Sequence, residues 1–487
     1  MSDSVIQPAP LPVTLVAEAA PPLRDEVGRL LRLAWPTILV MVSRMAIGFT
    51  DFAFVSRLGT DATAAISPAT ILVFGVVCLG MGVSMSIQTY AAQSFGRKRF
   101  RDTSASAWQG FYVAAVFLLL TPLASWLADP FWRLVRHTPE VTEMRIAFCR
   151  IAFWCMAFSI ICSSLDGFFN AVRRPSVGLM AILVAVAFNA VANYVLVFGK
   201  LGFPAMGIRG SAIATVCSWG IRAALLTIVF LSAEFKKAYA THETWRIDWS
   251  KFAAVVRLGG PIAFQWVLDI WSWWFFLTLL MGRFGTDTMA ASNISFQLMY
   301  ASFMPAIGLA IAVCTLIGHA IGEGKPDLVV RRARVGMLCA GLYMGAIGLV
   351  FWLARVPLMR MLSSDPEVVR LGASMLIWVA IFQVFDAAQI VYVNALRGAG
   401  DTRWPAVIVA AHCWIVFIGG GYLVARLRPE WGLNGPWLMC TLYIILLGLA
   451  LWRRFAREGW RKIDLFGDRG GVRGIPVVVE GPVPPEV

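Results

Sequence analysis

The chain has 487 residues, of which 59% are hydrophobic and only 14% are charged. Its mean hydropathy is +0.72, a value that soluble globular proteins rarely reach. No nucleic-acid-binding motif accompanies the formal net charge of +14, so we expect a membrane protein whose basic loops face anionic lipid, and no nucleic-acid partner.

Apolar stretches long enough to cross a bilayer recur along the whole chain. A transmembrane helix needs about 17–25 residues, and a segment surrounded by lipid must pair its backbone groups internally. The sequence therefore predicts twelve helical spans, at 31–55, 66–93, 105–128, 145–169, 175–199, 208–232, 259–282, 292–320, 331–354, 370–395, 404–426 and 434–455.

The distribution of basic residues predicts the orientation of these spans. Residues 1–30 lack the apolar core of a signal peptide. If the N-terminus is inside, 27 of the 42 Lys and Arg residues lie in cytoplasmic segments and 12 in outside loops, as the positive-inside bias requires. We expect a multi-pass protein of the plasma (inner) membrane with both termini cytoplasmic. Nine Cys and four His lie scattered without metal-site spacing, so we expect no cofactor.

The chain repeats itself. "RLAWPTI" (32–38) matches "RLGGPIA" (257–263), and "SRLGTDATAAIS" (56–67) matches "GRFGTDTMAASN" (282–293), at offsets of 225 and 226 residues. Because each half holds six spans, both enter the membrane in the same direction, as parallel repeats do. The predicted fold is an all-α integral membrane protein of two pseudo-symmetric six-helix lobes. The lobes are 31–235 and 259–455, joined by a cytoplasmic linker at 236–258, with cytoplasmic tails at 1–30 and 456–487.

Enzymatic activity and ATP-driven pumping find no support in the sequence. The segment "GHAIGEGKP" (318–326) has the wrong spacing for a phosphate loop, and Pro326 rather than Ser or Thr follows Lys325. No cluster of His, Asp or Glu gathers at a predicted interface. Paired repeats are instead typical of secondary transporters that alternate between inward-open and outward-open states.

Four segments resemble the multidrug and toxic compound extrusion (MATE) transporter family: "FTDFAFVSRLGTDATAA" (49–65), "NAVANYVLVFGKLGFPAMGIRGSAIATV" (189–216), "GRFGTDTMAASNISFQ" (282–297) and "NALRGAGDTRWP" (394–405). The resemblance implies a monomer in the lipid bilayer that exports cationic or amphipathic organic compounds. A transmembrane proton or sodium gradient would drive the export. The alternative is a flippase for lipid-linked saccharide precursors, a related branch that would need several basic residues along its cavity.

Asp269 is the one charged residue in "PIAFQWVLDIWSWWFFLTLL" (261–280). An ionised Asp at membrane mid-depth costs about 2.5–3.5 kcal/mol on insertion scales, so it is retained for a partner, a watery cavity or a proton. The resemblance implies a second-lobe site with one acid eight residues after Pro261 and another eleven residues before Arg397. Asp269 and Asp386 stand at these positions.

This acid pair has three candidate roles: exchanging protons, binding Na⁺ or facing a cationic substrate. The alternative is a buried pair that only fixes packing. Phe382 stands where sodium-coupled members of the family can offer a Tyr, which favours protons over sodium ions at Asp269 and Asp386.

The first lobe carries a second constellation. Asp51, Asn189 and Asn193 resemble the family's first-lobe proton site, and the two Asn residues are spaced i, i+4 on one helix face. The alternative is polar contacts between helices that only stabilise packing. Arg44 lies seven residues before Asp51, about 10 Å by helix rise, and could pair with it.

Two further expectations concern single residues. Asp166 is predicted at the interface, within reach of Arg173 or Arg174. Trp273, in a cluster of four Trp residues, could bind flat cations through its ring face, although such residues more often face lipid or the core.

Overall fold

The structure, a computed structural model, describes residues 22–135 and 138–467. This part holds eleven helices long and apolar enough to cross a membrane, and a bent pair, Pro139–Ala152 and Cys155–Ala171, that makes a twelfth span with a 46° bend. The prediction of twelve helical spans is confirmed. Spans 1 to 6 are Leu23–Leu58, Thr60–Gly96, Phe100–Leu134, the bent pair, Pro175–Phe198 and Ile208–Phe230. Spans 7 to 12 are Trp249–Phe284, Thr286–Gly322, Pro326–Leu353, Pro366–Ala399, Arg403–Leu427 and Asn434–Ala456.

Short local signals separate these helices. Gly59 and Gly285, equivalent residues of the two repeats, adopt φ angles of 120° and 102°, which other residues rarely adopt. Each stops one span and precedes the Thr-Asp pair that begins the next. Spans 5, 9 and 10 begin with Pro at the first position, where its missing N–H costs no helical hydrogen bond.

Some helix bounds differ from the prediction. Span 1 begins at Leu23 and so includes residues assigned to the N-terminal tail. A short helix, Ala233–Tyr239, runs from the predicted first lobe into the predicted linker, and the linker also includes the first residues of span 7. Residues 1–21 and 468–487 of the predicted tails lie outside the described residues.

The two lobes meet through pairs of equivalent contacts. Span 1 packs on span 8, and span 2 packs on span 7. A Cβ atom on Gly82 would lie 2.3 Å from Cα of Ala263, and one on Gly308 would lie 2.5 Å from Cα of Ile38. Gly82 and Gly308 are equivalent in the repeats, so one interface is built twice.

The lobes seal one end of the molecule. Gly96 and Gly322, equivalent at an offset of 226 residues, touch across the lobe interface, since a Cβ on Gly322 would lie 2.8 Å from Cα of Gly96. Glu26, in the first turns of span 1, pairs with Arg332 of span 9 at the same end, with Arg332 Nε 3.4 Å from Glu26 Oε2. The sealed end is thus the end where span 1 begins.

Candidate ion and substrate sites

A cavity of about 860 Å³ lies between the lobes. Its wall runs from Thr37 and Gln88, close to the seal, to Phe52 and Ser67, close to the far end of span 1. The cavity therefore faces the side opposite the seal. Its lining is mainly apolar, with Phe, Met, Ile and Val prominent, and the charged side chains in it are Arg44, Asp51 and Asp166.

Asp51 of span 1 lies in the cavity wall under three hydrogen-bond donors. Its Oδ1 accepts from Nδ2 of Asn189 at 3.1 Å and from Nδ2 of Asn193 at 2.8 Å. Its Oδ2 accepts from the Thr215 hydroxyl at 2.5 Å. The structure therefore brings together the three residues that the sequence singled out. The roles proposed for them stay predictions.

Thr215 of span 6 is the member that sequence reasoning missed. It is the final residue of the "GIRGSAIAT" segment (207–215), which carried part of the family resemblance. A Thr in a membrane helix usually satisfies its hydroxyl on its own helix, so nothing local singled it out. The side-chain oxygens of Asn189 and Asn193 are buried without a hydrogen-bond partner among the described residues.

The predicted approach of Arg44 to Asp51 is wrong, because Arg44 and Arg222 both pair with Asp166. Arg44 Nη2 lies 3.0 Å from Asp166 Oδ2, and Arg222 of span 6 reaches both oxygens of Asp166 at 2.9 and 2.8 Å. Arg222 is fully buried and Asp166 is 14% exposed. Arg174, one of the expected partners, pairs with Glu234 instead.

The packing of three helices explains this pairing. Spans 4 and 6 pack together, and span 6 also contacts span 1, so the carboxylate of span 4 meets one guanidinium from span 6 and one from span 1. We call Arg44, Asp166 and Arg222 the charge triad. It holds two cations and one anion among the spans, and it leaves Asp51 hydrogen-bonded, within the described residues, to neutral groups only.

The second-lobe acids lie apart from this cavity, and neither is part of its lining. Asp269 Oδ1 accepts from the Tyr443 hydroxyl at 3.4 Å and lies 3.6 Å from the Cys413 sulfur. Asp386 is 5% exposed and lies within electrostatic range of Asp269 and Cys440. The structure therefore places the two acids within electrostatic range of each other, with Cys413 of span 11 and Cys440 and Tyr443 of span 12 nearby.

Two helix irregularities accompany this site. Phe275–Leu280 and His412–Gly420 form π-helical segments in spans 7 and 11, and π-segments are frequent at functional sites. The second contains Cys413, whose sulfur also contacts the Tyr443 hydroxyl at 3.1 Å. Sequence reasoning missed Tyr443, which supplies Asp269 with the phenolic oxygen that Phe382 cannot offer.

The aromatic predictions separate into two groups. Phe382 is fully buried in the second-lobe core. Trp273 packs against Phe296 and Phe417, with ring centroids 5.1 and 5.0 Å apart, and it is not part of the cavity lining. Trp266 of the same cluster does line the cavity. The structure therefore offers Trp266, rather than Trp273, as an aromatic surface for a substrate.

Comparison with known proteins identifies the family. The MatE family model matches residues 36–195 and 261–423, one segment in each lobe. The chain belongs to the MATE family. Its members are secondary transporters, so the chain is a transporter and not an enzyme.

Individual relatives agree over nearly the whole length. The probable multidrug resistance protein NorM of Mesorhizobium japonicum is 32% identical over 447 residues, which cover 89% of this chain and 94% of that protein. The eukaryotic MATE transporter AtDTX14 superposes with a TM-score of 0.80 at 20% identity, covering 90% of this chain and 97% of the other. A mutant of the Vibrio cholerae MATE transporter VcmN gives 0.79 at 17% identity, covering 91% and 99%.

Proposed function

We propose that this MATE transporter is a multidrug exporter that exchanges cationic or amphipathic organic compounds for protons by alternating access. The observation that carries the proposal is Asp51 in the wall of the large, mainly apolar cavity. An apolar wall with few polar groups accepts flat organic molecules of varied shape. A carboxylate with no cationic partner among the described residues adds a preference for positive charge.

Competition between a proton and an organic cation for Asp51 explains the exchange. A proton on the carboxylate removes the charge that holds an organic cation, and a bound cation opposes protonation, so each ligand weakens the other's binding. The unpartnered side-chain oxygens of Asn189 and Asn193 can accept a hydrogen bond from the protonated acid once an amide turns. We assign the same exclusive chemistry to Asp269 and Asp386 in the second lobe.

The groups around Asp51 and Asp269 suit a proton better than a sodium ion. The oxygens of Asp51 already accept three hydrogen bonds, whereas a sodium ion requires several free oxygen ligands. Asp269 has a phenolic oxygen beside it, but Cys413 and Cys440 occupy the same region, and thiols favour soft metals. Because Tyr443 brings a phenolic oxygen to Asp269, the lack of one at Phe382 is weaker support for protons over sodium ions. The proposal of proton coupling therefore rests mainly on Asp51.

The flippase alternative has less support. A cavity for a pyrophosphate-linked lipid would need several free basic side chains, and Arg44 is the basic residue among those that line the cavity. One guanidinium, shared with Asp166, falls short of the several that a pyrophosphate would need. We also propose that the protein works as a monomer in the inner membrane with its sealed end in the cytoplasm, since the cavity lies within one chain.

The test is transport by the purified protein in proteoliposomes loaded with a DNA-staining cation. Imposing a proton gradient should drive dye movement against the proton flow, and Asp51→Asn should stop it. Dye movement that ignores the proton gradient in the wild type would contradict the proposal.

A further inference from the structure

The charge triad carries more positive charge than it neutralises. Asp166 offers one negative charge to Arg44 and Arg222, and all three side chains are at least about four-fifths buried. An ion held away from water is costly unless it is paired. One Arg and one Asp would suffice for a contact that only stabilises packing. The second guanidinium therefore requires a separate explanation.

Neither guanidinium of the triad is fully satisfied, since Nε and Nη1 of Arg222 also lack a hydrogen-bond partner among the described residues. Arg222 is fully buried, and Arg44 is the triad cation that lines the cavity. Arg222 takes both oxygens of Asp166, whereas Arg44 has one hydrogen bond, from Nη2 to Oδ2. Nε of Arg44 is buried without a hydrogen-bond partner among the described residues. Its guanidinium carbon also lies 5.8 Å from the ring centre of Trp219.

Apart from Asp166, the titratable groups found near Arg44 in the described part of the chain bring no negative charge. Cys78 of span 2, Cys162 of span 4 and Tyr300 of span 8 lie within electrostatic range of it. Thiols and phenols are neutral near pH 7. Arg44 lines the cavity together with Cys78 and Tyr300, so an anion arriving in the cavity would meet a guanidinium that has donors to spare.

The helix that carries Arg44 also carries the acidic residue Asp51 in the cavity wall. Arg44 and Asp51 lie seven residues apart in span 1, two helical turns or about 10 Å, and both line the cavity. Gln297 and Tyr300 of span 8 also line the cavity and add hydrogen-bonding groups to its wall. The cavity wall thus carries one basic and one acidic side chain at the spacing of two charges on one drug-sized molecule.

We propose that Arg44 is a carboxylate-binding subsite, and that the transporter accepts amphoteric molecules with the carboxylate at Arg44 and the cationic group at Asp51. The proposed binding of a carboxylate at Arg44 depends only on the structure of the charge triad. The release of the bound molecule by protons rests on the proposed function. Arg guanidinium groups suit this role because they present several donors in one plane.

Rhodamine 110 and rhodamine 123 make a matched pair of probes, since the second is the methyl ester of the first and lacks the free carboxylate. Dissociation constants for both dyes are measured by fluorescence anisotropy with the full chain in nanodiscs. The wild type should bind the free acid at least as tightly as the ester. A tenfold preference of the wild type for the ester would overturn the subsite without any variant.

Single substitutions then test whether Arg44 is the side chain that sets the preference between the two dyes. Arg44→Gln should shift the ratio of the two dissociation constants at least tenfold toward the ester, the loss expected for a charge-assisted hydrogen bond. Arg44→Lys should restore part of the ratio. Arg150→Gln removes an exposed Arg of span 4, paired with Asp129 and outside the cavity lining, and should leave the ratio as in the wild type.

An Arg44→Gln protein that loses affinity for both dyes equally, or for neither, would overturn the proposal and leave the triad a structural feature. Dye transport in proteoliposomes is measured in parallel. If the binding ratio changes as expected but neither dye is transported, the subsite stands and the proposed efflux function fails.

Discussion

The guanidinium of Arg44 lies 3.0 Å from the carboxylate of Asp166 and not against Asp51, which shares its helix. Asp51 is consequently held by two amides and a hydroxyl. Neutral donors stabilise a carboxylate without cancelling its charge, so the charge remains available to a proton or to a cationic substrate. The triad and the Asp51 site are therefore two separate hydrogen-bonding networks within one lobe.

The first prediction concerns Asp51. Asp51→Asn keeps the shape and the hydrogen-bonding size of the side chain but cannot exchange a proton or attract a cation. We expect cation export to fall to background in a dye efflux assay, with normal insertion into the membrane. Asp61→Asn, at an exposed acid in the first turn of span 2, is the matched control and should export normally.

The second-lobe acids give a parallel prediction. Asp269→Asn and Asp386→Asn should each abolish cation export while the protein stays folded, because intramembrane acids of a transporter are expected to carry the coupling. Asp287→Asn, the exposed equivalent of Asp61 in the second repeat, serves as control. Drug resistance retained by cells that carry both core substitutions would exclude a coupling role for the pair.

The charge triad yields a prediction about stability. Asp166→Asn leaves two buried guanidinium groups without their counter-ion, and breaking a buried ion pair in this way costs about 3–5 kcal/mol. The melting temperature in detergent should drop sharply. Asp129→Asn removes the partner of Arg133 and Arg150 at a more exposed site, where pairs contribute about 0–1 kcal/mol. Equal losses in the two variants would show that the triad is not a buried network.

The seal between the lobes gives a conformational prediction. A Cβ on Gly96 would lie 2.4 Å from the carbonyl oxygen of His319, so Gly96→Ala should shift the population away from the sealed state. The control is Gly28→Ala, where nothing lies within 4 Å of the added atom.

Electron–electron double resonance between labels at Lys98→Cys and Glu323→Cys measures the effect. Both positions are exposed at the sealed end, and the background carries Cys217→Ser because Cys217 is the exposed thiol among the described cysteines. Longer distances should appear with Gly96→Ala and not with Gly28→Ala. Identical distance distributions would show that this glycine contact does not hold the seal.

The sequence predicted the fold far better than it predicted side-chain partners. Span length, hydropathy and the internal repeat depend on the chain alone, so the twelve spans and two lobes followed from them. Asp51, Asn189 and Asn193 were also found, because they resemble the first-lobe proton site of the family and the two Asn residues share one helix face.

The pairing of Arg44 depends on something different, the rotation of three helices about their axes. From the sequence, Asp51 two turns away was as reasonable a partner as Asp166, which lies 122 residues along the chain. Thr215 and Tyr443 were missed for a related reason. Hydroxyl-bearing residues are common in membrane helices, and only the folded structure shows which of them turn toward an acid.

Proton coupling is the central claim, and dye efflux from proteoliposomes under separated ion gradients tests it most directly. An imposed proton gradient without sodium should drive efflux at full rate. An imposed sodium gradient, at fixed pH and with the proton gradient collapsed by an ionophore, should give only the leak rate of protein-free vesicles. Full-rate efflux driven by sodium alone under those conditions would contradict the account.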